Sequence, residues 1–161
     1  MAIVVSDTSP IRALHFLDQI TLLEQLFGAI IVPPAVAREL ARPRPPFTPI
    51  DVPAFHNFEI RAPRDQQLVQ TYVESIDTGE AEAIALAIEL KATLLIDEVA
   101  GRTAAAAAGV PYMGVLGVLS LAKSQKRISE VRPLLDRLRL ELRFHIAEKL
   151  YEQFLRSIGE Q

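Results

Sequence analysis

Short apolar runs alternate with stretches of helical period along this chain. Ile3-Val4-Val5, Ala29-Ile30-Ile31-Val32 and Thr93-Leu94-Leu95-Ile96 are continuously apolar or nearly so, the pattern of parallel strands covered on both faces. Phe58-Glu59-Ile60-Arg61 alternates and reads as a more exposed strand, and Pro111-Tyr112-Met113 as a short one. Ser9 before Pro10 places a capping hydroxyl ahead of a proline and predicts a helix running toward Leu17. Further helices are predicted over 19–27, closed by Gly28, and from Pro33-Pro34 through Ala41. Others follow over 65–75, Asp77 to Leu90, Glu98 to Ala108, 115–124, 129–140 and 146–158. Phe144 to Ala147 reads as a brief edge strand. Five prolines (Pro43, Pro45, Pro46, Pro49 and Pro53) make 43–57 an irregular loop. Strands alternating with helices define an α/β domain with a mostly parallel sheet. No internal repeat or long linker divides it, so residues 1–161 are expected to form one domain.

Composition narrows the chemistry. With half its residues apolar, the chain can bury a core of ordinary size. It has no cysteine, which excludes disulfides, thiolate metal sites and cysteine nucleophiles. The apolar start, Met1 to Val5, stops at Asp7 and has no basic flank, so no signal peptide is expected. No apolar run reaches membrane-spanning length, and a soluble cytoplasmic protein is the expectation. The net charge of −3 argues mildly against nucleic acid. Its distribution softens the objection: residues 1–122 carry 8 Lys/Arg against 14 Asp/Glu, and residues 123–161 carry 9 against 6. The basic C-terminal third either meets phosphates or forms a solvated mixed-charge helix pair.

The informative acids sit where strands end or helices begin. Asp7 directly follows the first strand, and Asp97, with Glu98 after it, directly follows the fourth. Open parallel sheets bind ligands beyond the carboxyl ends of their strands. Two strand-end aspartates on neighbouring strands could share a cation such as Mg²⁺ or Mn²⁺. The plainer reading makes each Asp a helix cap; Ser9 competes for that role at Asp7, whereas Asp97 could cap a helix starting at Glu98. On the 77–90 helix, taking Glu80 as the origin puts Ile84 at about 40°, Ile88 at about 80° and Ala87 at about −20°. Glu82 and Glu89 fall near 200° and 180°, on the opposite side. Glu80 therefore borders the apolar face and needs a partner, which is either a metal or a capping box with Asp77. Glu39, flanked by Arg38 and Arg42, reads locally as a surface glutamate paired with arginines.

These acids, in this order and on these elements, resemble the PIN-domain ribonucleases, and most closely a PIN-like branch related to the VapC toxins. Val5-Ser6-Asp7-Thr8-Ser9-Pro10 resembles that branch's first motif. The run from Asp77-Thr78-Gly79-Glu80 to Ala87 resembles its most distinctive one. Leu95-Ile96-Asp97-Glu98 with Arg102, the helix around Gly114 to Lys123, and the final Ile158-Gly159-Glu160 are similar to later segments. The resemblance implies a three-layer α/β/α sandwich around a sheet of about five strands. It implies Asp7, Glu39, Glu80 and Asp97 as catalytic acids, with Asp7, Glu80 and Asp97 as ligands of Mg²⁺ or Mn²⁺. Thr8, Ser9 and Glu98 would be ancillary, and Arg38 and Arg102 either phosphate contacts or counter-ions. The implied activity is metal-assisted hydrolysis of RNA by a toxin-like component, paired with a small antitoxin and forming a homodimer. The Pro-rich 43–57 segment and the last helix are candidate surfaces for such partners. The branch usually carries a Gly-aromatic pair where this chain has Arg143-Phe144, so a different turn is expected there.

Three other classes compete. A catalytically silent PIN-like protein would bind nucleic acid or a protein without cleaving. Receiver-type phosphotransfer also uses strand-end aspartates, but wants a lysine just after Pro111-Tyr112-Met113, and none stands there. A dinucleotide-binding fold wants a glycine-rich loop after the first strand, which is absent.

Overall fold

The structure is a computed structural model describing residues 3–161; Met1 and Ala2, which begin the apolar start, lie outside the described residues. Five of the six expected strands form: β1 (Val4–Ser6), β2 (Ile30–Val32), β3 (Phe58–Ile60), β4 (Thr93–Leu95) and β5 (Tyr112–Met113). They make one all-parallel sheet in the order β3-β2-β1-β4-β5. Around it run α1 (Thr8–Phe16), α2 (Thr21–Phe27), α3 (Pro34–Ala41), α4 (Gln66–Val73), α5 (Thr78–Leu90), α6 (Val99–Ala107), α7 (Val115–Ser124), α8 (Arg132–Glu141) and α9 (Glu148–Ser157).

The apolar runs lie between two helical layers because successive side chains of a strand point to opposite faces. Val4, Ile30, Val32 and Leu95 join a core with Ile11, Leu14, Leu40, Val118 and Leu135, beneath α1, α2, α3, α7 and α8. Val5, Ile31, Leu94 and Ile96 join a second core with Ile84, Leu86 and Ala105, beneath α5 and α6. This is the three-layer α/β/α sandwich. The chain moves outward from β1 to β2 and β3, then returns to lay β4 on the other side of β1. The direction of winding therefore reverses between β1 and β4, which places the natural crevice at their carboxyl ends.

The boundaries differ from expectation at several points. α1 begins at Thr8, not after Ser9: Asp7 holds the N-cap position with extended ψ, though its side chain makes no capping bond. The Asp7 N–H still belongs to the sheet, bonding the Leu95 carbonyl at 2.9 Å, so the chain passes from strand to helix without a linker. Ser9 instead donates to Glu98 at 3.2 Å. Similarly, α6 begins at Val99, with Glu98 in its N-cap position. Asp97 caps α7 instead, accepting from Val115 N at 3.1 Å. No strand forms at Phe144 to Ala147; β3 and β5 are the sheet edges, and this segment anchors to the core through Ile146 and Phe144.

The turn expected to differ at Arg143-Phe144 is of the ordinary helix-ending kind. Arg143 takes a left-handed φ of 52°, and Phe144 N–H bonds the Leu138 carbonyl at 2.9 Å, the closure that usually favours glycine. At the very end, Glu160 accepts from Lys123 Nζ at 2.7 Å and from Val131 N and Arg132 N at 2.8 Å each. One carboxylate thus ties the C-terminus to α7 and to the first turn of α8. No helix among the described residues is long and apolar enough to cross a membrane.

Candidate active site

All but one of the acids at the crevice are delivered by the start of a helix or the end of a strand; Glu39 comes from the last turn of α3. Asp7 leaves β1 and Asp97 follows β4, its direct parallel neighbour. Asp77 and Glu80 occupy the first turn of α5, where Asp77 Oδ1 accepts from Glu80 N at 2.8 Å. This is the forward half of the expected capping box. Glu39 comes from α3, where Thr8 Oγ1 donates to its Oε2 at 2.9 Å. Glu98 stands at the rim with Ser9.

The fold brings most of these charges into one field. Asp7 is 3% exposed and Glu80 is 7% exposed. Burial, opposed by a backbone bond from Thr8 and reinforced by Asp77, Glu39 and Glu98, pushes the Asp7 carboxyl up from 3.8 to about 7. Burial, with Asp77, Asp7 and Glu98 nearby, pushes Glu80 from 4.5 to about 8. Asp97 stands somewhat apart. Burial raises its pKa too, but its electrostatic neighbours are Arg102 and Glu98. Its Oδ1 accepts from Val115 N and from Arg102 at 3.3 Å, while its Oδ2 is buried with no partner among the described residues. A buried carboxylate oxygen left without a hydrogen bond is costly and rare.

The arginines divide between structure and cleft. Arg102 pairs with Asp97, donates from Nε to the Ile96 carbonyl at 3.2 Å and lies over the Tyr112 ring, so it serves Asp97 as a counter-ion. Arg38 is exposed and lines an open cleft of about 410 Å³ with Glu39, Arg42, Asp77 and Gly79. Glu39 pairs with neither of its flanking arginines. Its partners are Arg12 at 3.8 Å and Arg44 at 3.9 Å. Arg12 is 5% exposed and also donates to the Glu39 carbonyl at 2.7 Å.

Glu82 corrects the helical-wheel expectation. It does not share a solvated face with Glu89; it is half-buried and accepts from Ala35 N at 3.1 Å, at the N-terminus of α3, where a carboxylate suits the helix dipole. α5 is buried on nearly every side, so a single apolar stripe describes it poorly. With Glu82 occupied at α3, Glu80 is the α5 glutamate within reach of Asp7.

The sequence alone marks Asp77 only as a cap and does not single out Arg12. It misses the glycines as well. A Cβ on Gly101 would stand 2.9 Å from Glu80 Oε2 and collide with Ile96, and one on Gly114 would collide with Asp97 Oδ1 and Arg102. Gly101 does leave a signal, since a glycine inside an alanine-rich helix needs a reason. We expect Gly114→Ala to break the Asp97–Arg102 pair and to lower stability by about 1–3 kcal/mol, read as a drop in the urea midpoint at unchanged slope.

The donor set suits a hard cation. The acids Asp7, Glu39, Glu80 and Asp97 and the Thr8 hydroxyl are oxygen donors, the chain has no cysteine, and Asp97 Oδ2 lacks a partner among the described residues. Among the described residues, no three acids or histidines are gathered to hold a metal by themselves. Mg²⁺ rarely asks for that; it is commonly bound by one or two carboxylates, several waters and the substrate phosphate. The residues present therefore fit a site of that open kind.

An α/β/α sandwich with acids at the carboxyl edge of a five-stranded parallel sheet defines a PIN-like domain. The sequence model of the DUF3368 family, described as a PIN domain, matches residues 3–160, and the chain belongs to that family. PIN domains are generally nucleases and typically use divalent metals. A search among curated proteins found no significant match.

Proposed function

We propose that this chain is a Mg²⁺- or Mn²⁺-dependent endoribonuclease acting as the toxin-like member of a toxin–antitoxin pair. The observation that carries the catalytic part is the crowding at the crevice, where Asp7 and Glu80 are buried beside other acids and burial pushes their carboxyls up to about 7 and about 8. Buried acids of like charge are a standing cost to the fold, and strongly perturbed groups in a cleft mark functional sites. When bound there, a divalent cation would supply Lewis acidity toward water and the phosphoryl oxygens.

The residues divide the remaining work. Asp7 and Asp97, from neighbouring strands, are the principal candidate ligands, and Glu80 the third. Glu39, oriented by Thr8 and Arg12, and Asp77, beside Glu80, are placed to hold or accept a proton at the rim. Arg38 and Arg42, exposed beside Glu39, are placed to meet the negatively charged strand. The antitoxin, the homodimer and the cytoplasmic setting rest on the likeness to VapC-type toxins.

The second reading, a silent nucleic-acid-binding PIN domain, is favoured by one observation: no ready-made set of three ligands exists among the described residues. Incubation of single-stranded RNA with the purified chain decides between them. Cleavage is expected with Mn²⁺ and not with EDTA, and intact RNA under both conditions would reject the nuclease.

A further inference from the structure

A second hollow, of about 260 Å³, is lined by Arg12 and shares none of the crevice acids. Arg12, His15, Phe16 and Asp18 line it from α1 and the turn after it; Phe47 and Thr48 line it from the Pro-rich loop. The loop is not a loose strap. Ile50 N–H bonds the Leu40 carbonyl at 2.8 Å, and Ile50 and Val52 are buried in the core. Phe47 lies edge-on to Phe16, with ring centres 6.2 Å apart, and the Arg12 guanidinium lies 5.7 Å from the Phe47 ring centre.

The hollow is aligned with the acids by helix geometry. Thr8, Arg12 and His15-Phe16 recur at the spacing that places residues on one face of α1. Thr8 and Arg12 both bond Glu39, so the stripe runs from the acid cluster to the hollow. Seven residues of α-helix span about 10 Å, which puts His15 within reach of a nucleotide neighbouring one whose phosphate lies at the acids.

The lining suits a base better than a phosphate. Arg12, its buried cation, is already bonded to Glu39, and Asp18 would repel an anion. Unpaired RNA bases stack on aromatic rings and guanidinium planes and are read along their hydrogen-bonding edges. Here the half-buried Phe16 and Phe47 supply aromatic surface, backed by Arg137 over Phe16 and Arg12 against Phe47, while Asp18 accepts and His15 and Thr48 add polar atoms at the rim. Arg44, 66% exposed beside Glu39, stands where the connecting backbone would pass.

We infer that the hollow between α1 and the 43–50 loop is a nucleobase subsite for single-stranded RNA, favouring bases with an exocyclic amino group over uracil. The amino group donates to Asp18; uracil offers only its ring N3–H, set between two carbonyl oxygens that a carboxylate repels. The inference rests on the nuclease reading for its substrate, but it concerns base recognition and can fail separately.

The test uses short fluorescent RNA oligonucleotides in Mg²⁺, bound to the Asp7→Asn chain so that cleavage does not interfere. An abasic residue is walked along the strand, and Kd is read by anisotropy. One position should lose about tenfold in affinity, with uracil there weaker than adenine, cytosine or guanine. That penalty should shrink in Phe47→Ala and in Thr48→Tyr, the latter filling the hollow from an exposed position without removing a packed ring. Asp18→Asn should narrow the gap between uracil and the other bases. Wild-type cleavage combined with no sensitive position, or with a penalty unchanged in both Phe47→Ala and Thr48→Tyr, overturns the subsite and leaves the nuclease standing. Base-sensitive binding without wild-type cleavage does the reverse. Absence of RNA binding overturns the subsite, and together with absence of wild-type cleavage it overturns both.

Discussion

Asp7→Asn should abolish RNA cleavage and, in the metal-free chain near pH 8, make the protein more stable. The two effects have one origin. Asp7 is 3% exposed and its carboxyl is pushed up to about 7 by burial and by Asp77, Glu39 and Glu98. At pH 8 most of it is ionised inside the protein at a cost of a few kcal/mol relative to the unfolded chain. Asparagine has nearly the same shape and carries no charge, so that cost disappears. It also lacks the anionic oxygen a divalent cation requires, and the cleavage rate should fall about 10³-fold or more. Melting curves with and without Mn²⁺ provide the check. The wild type should gain Tm on adding Mn²⁺, and the variant should start higher and gain little. A variant that melts lower than wild type in EDTA at pH 8 would contradict this account of Asp7.

The metal-free wild type should itself lose stability as pH rises from about 4 to about 8, against the usual trend for acid-sensitive proteins. The sign follows from linkage. Asp7 and Glu80 have folded pKa values near 7 and 8 against usual values of 3.8 and 4.5. Between those limits the native state binds more protons than the unfolded state, so stability falls with rising pH. The contribution is fully present below about 4 and is lost as pH passes through the folded values. Asp97 acts in the same sense. Glu160, where burial is outweighed by Lys123 and two backbone N–H groups that lower its pKa, acts oppositely: its contribution is complete above its usual value of 4.5 and is lost as pH falls through its lower folded value. An optimum in mildly acidic solution is therefore expected in EDTA. Millimolar Mn²⁺ should flatten the decline on the alkaline side. Urea midpoints across pH 4.5–8.5 measure both, and a midpoint that rose steadily to pH 8 in EDTA would show that the acids are not crowded in solution.

The sheet was readable because parallel strands buried on two faces leave unbroken apolar runs. Val4-Val5, Ile30-Ile31-Val32 and Leu94-Leu95 are too short and too uniformly apolar to be surface helices. Cap positions were less readable. Ser9, Asp97 and Glu98 each had a suitable side chain for the helix nearest in sequence, but tertiary partners took all three: Ser9 and Glu98 bond each other, and Asp97 reaches α7. The same holds for Glu82, whose partner lies on α3 and 47 residues away; a helical wheel contains no information about a neighbouring helix end. Glu39 became interesting only through its likeness to the PIN motif, since nothing local predicted Thr8 and Arg12 as its companions. Arg143 marks the opposite limit, where a residue poorly suited to a left-handed turn adopts it because Phe144 and Ile146 are anchored in the core.

β1 has its two flanking strands separated unequally in the chain. β2 follows within a few dozen residues, whereas the β1–β4 pairing joins Val4 to Thr93. A nascent chain emerging from the ribosome can lay down β1, β2 and β3 early, yet one side of β1 must wait until residues 93–95 arrive, and closing so long a loop is slow. Asp7 and Asp97 become neighbours only at that moment. A half-made polypeptide therefore lacks Asp97 beside Asp7, and any activity that needs that pair waits until β4 is laid down.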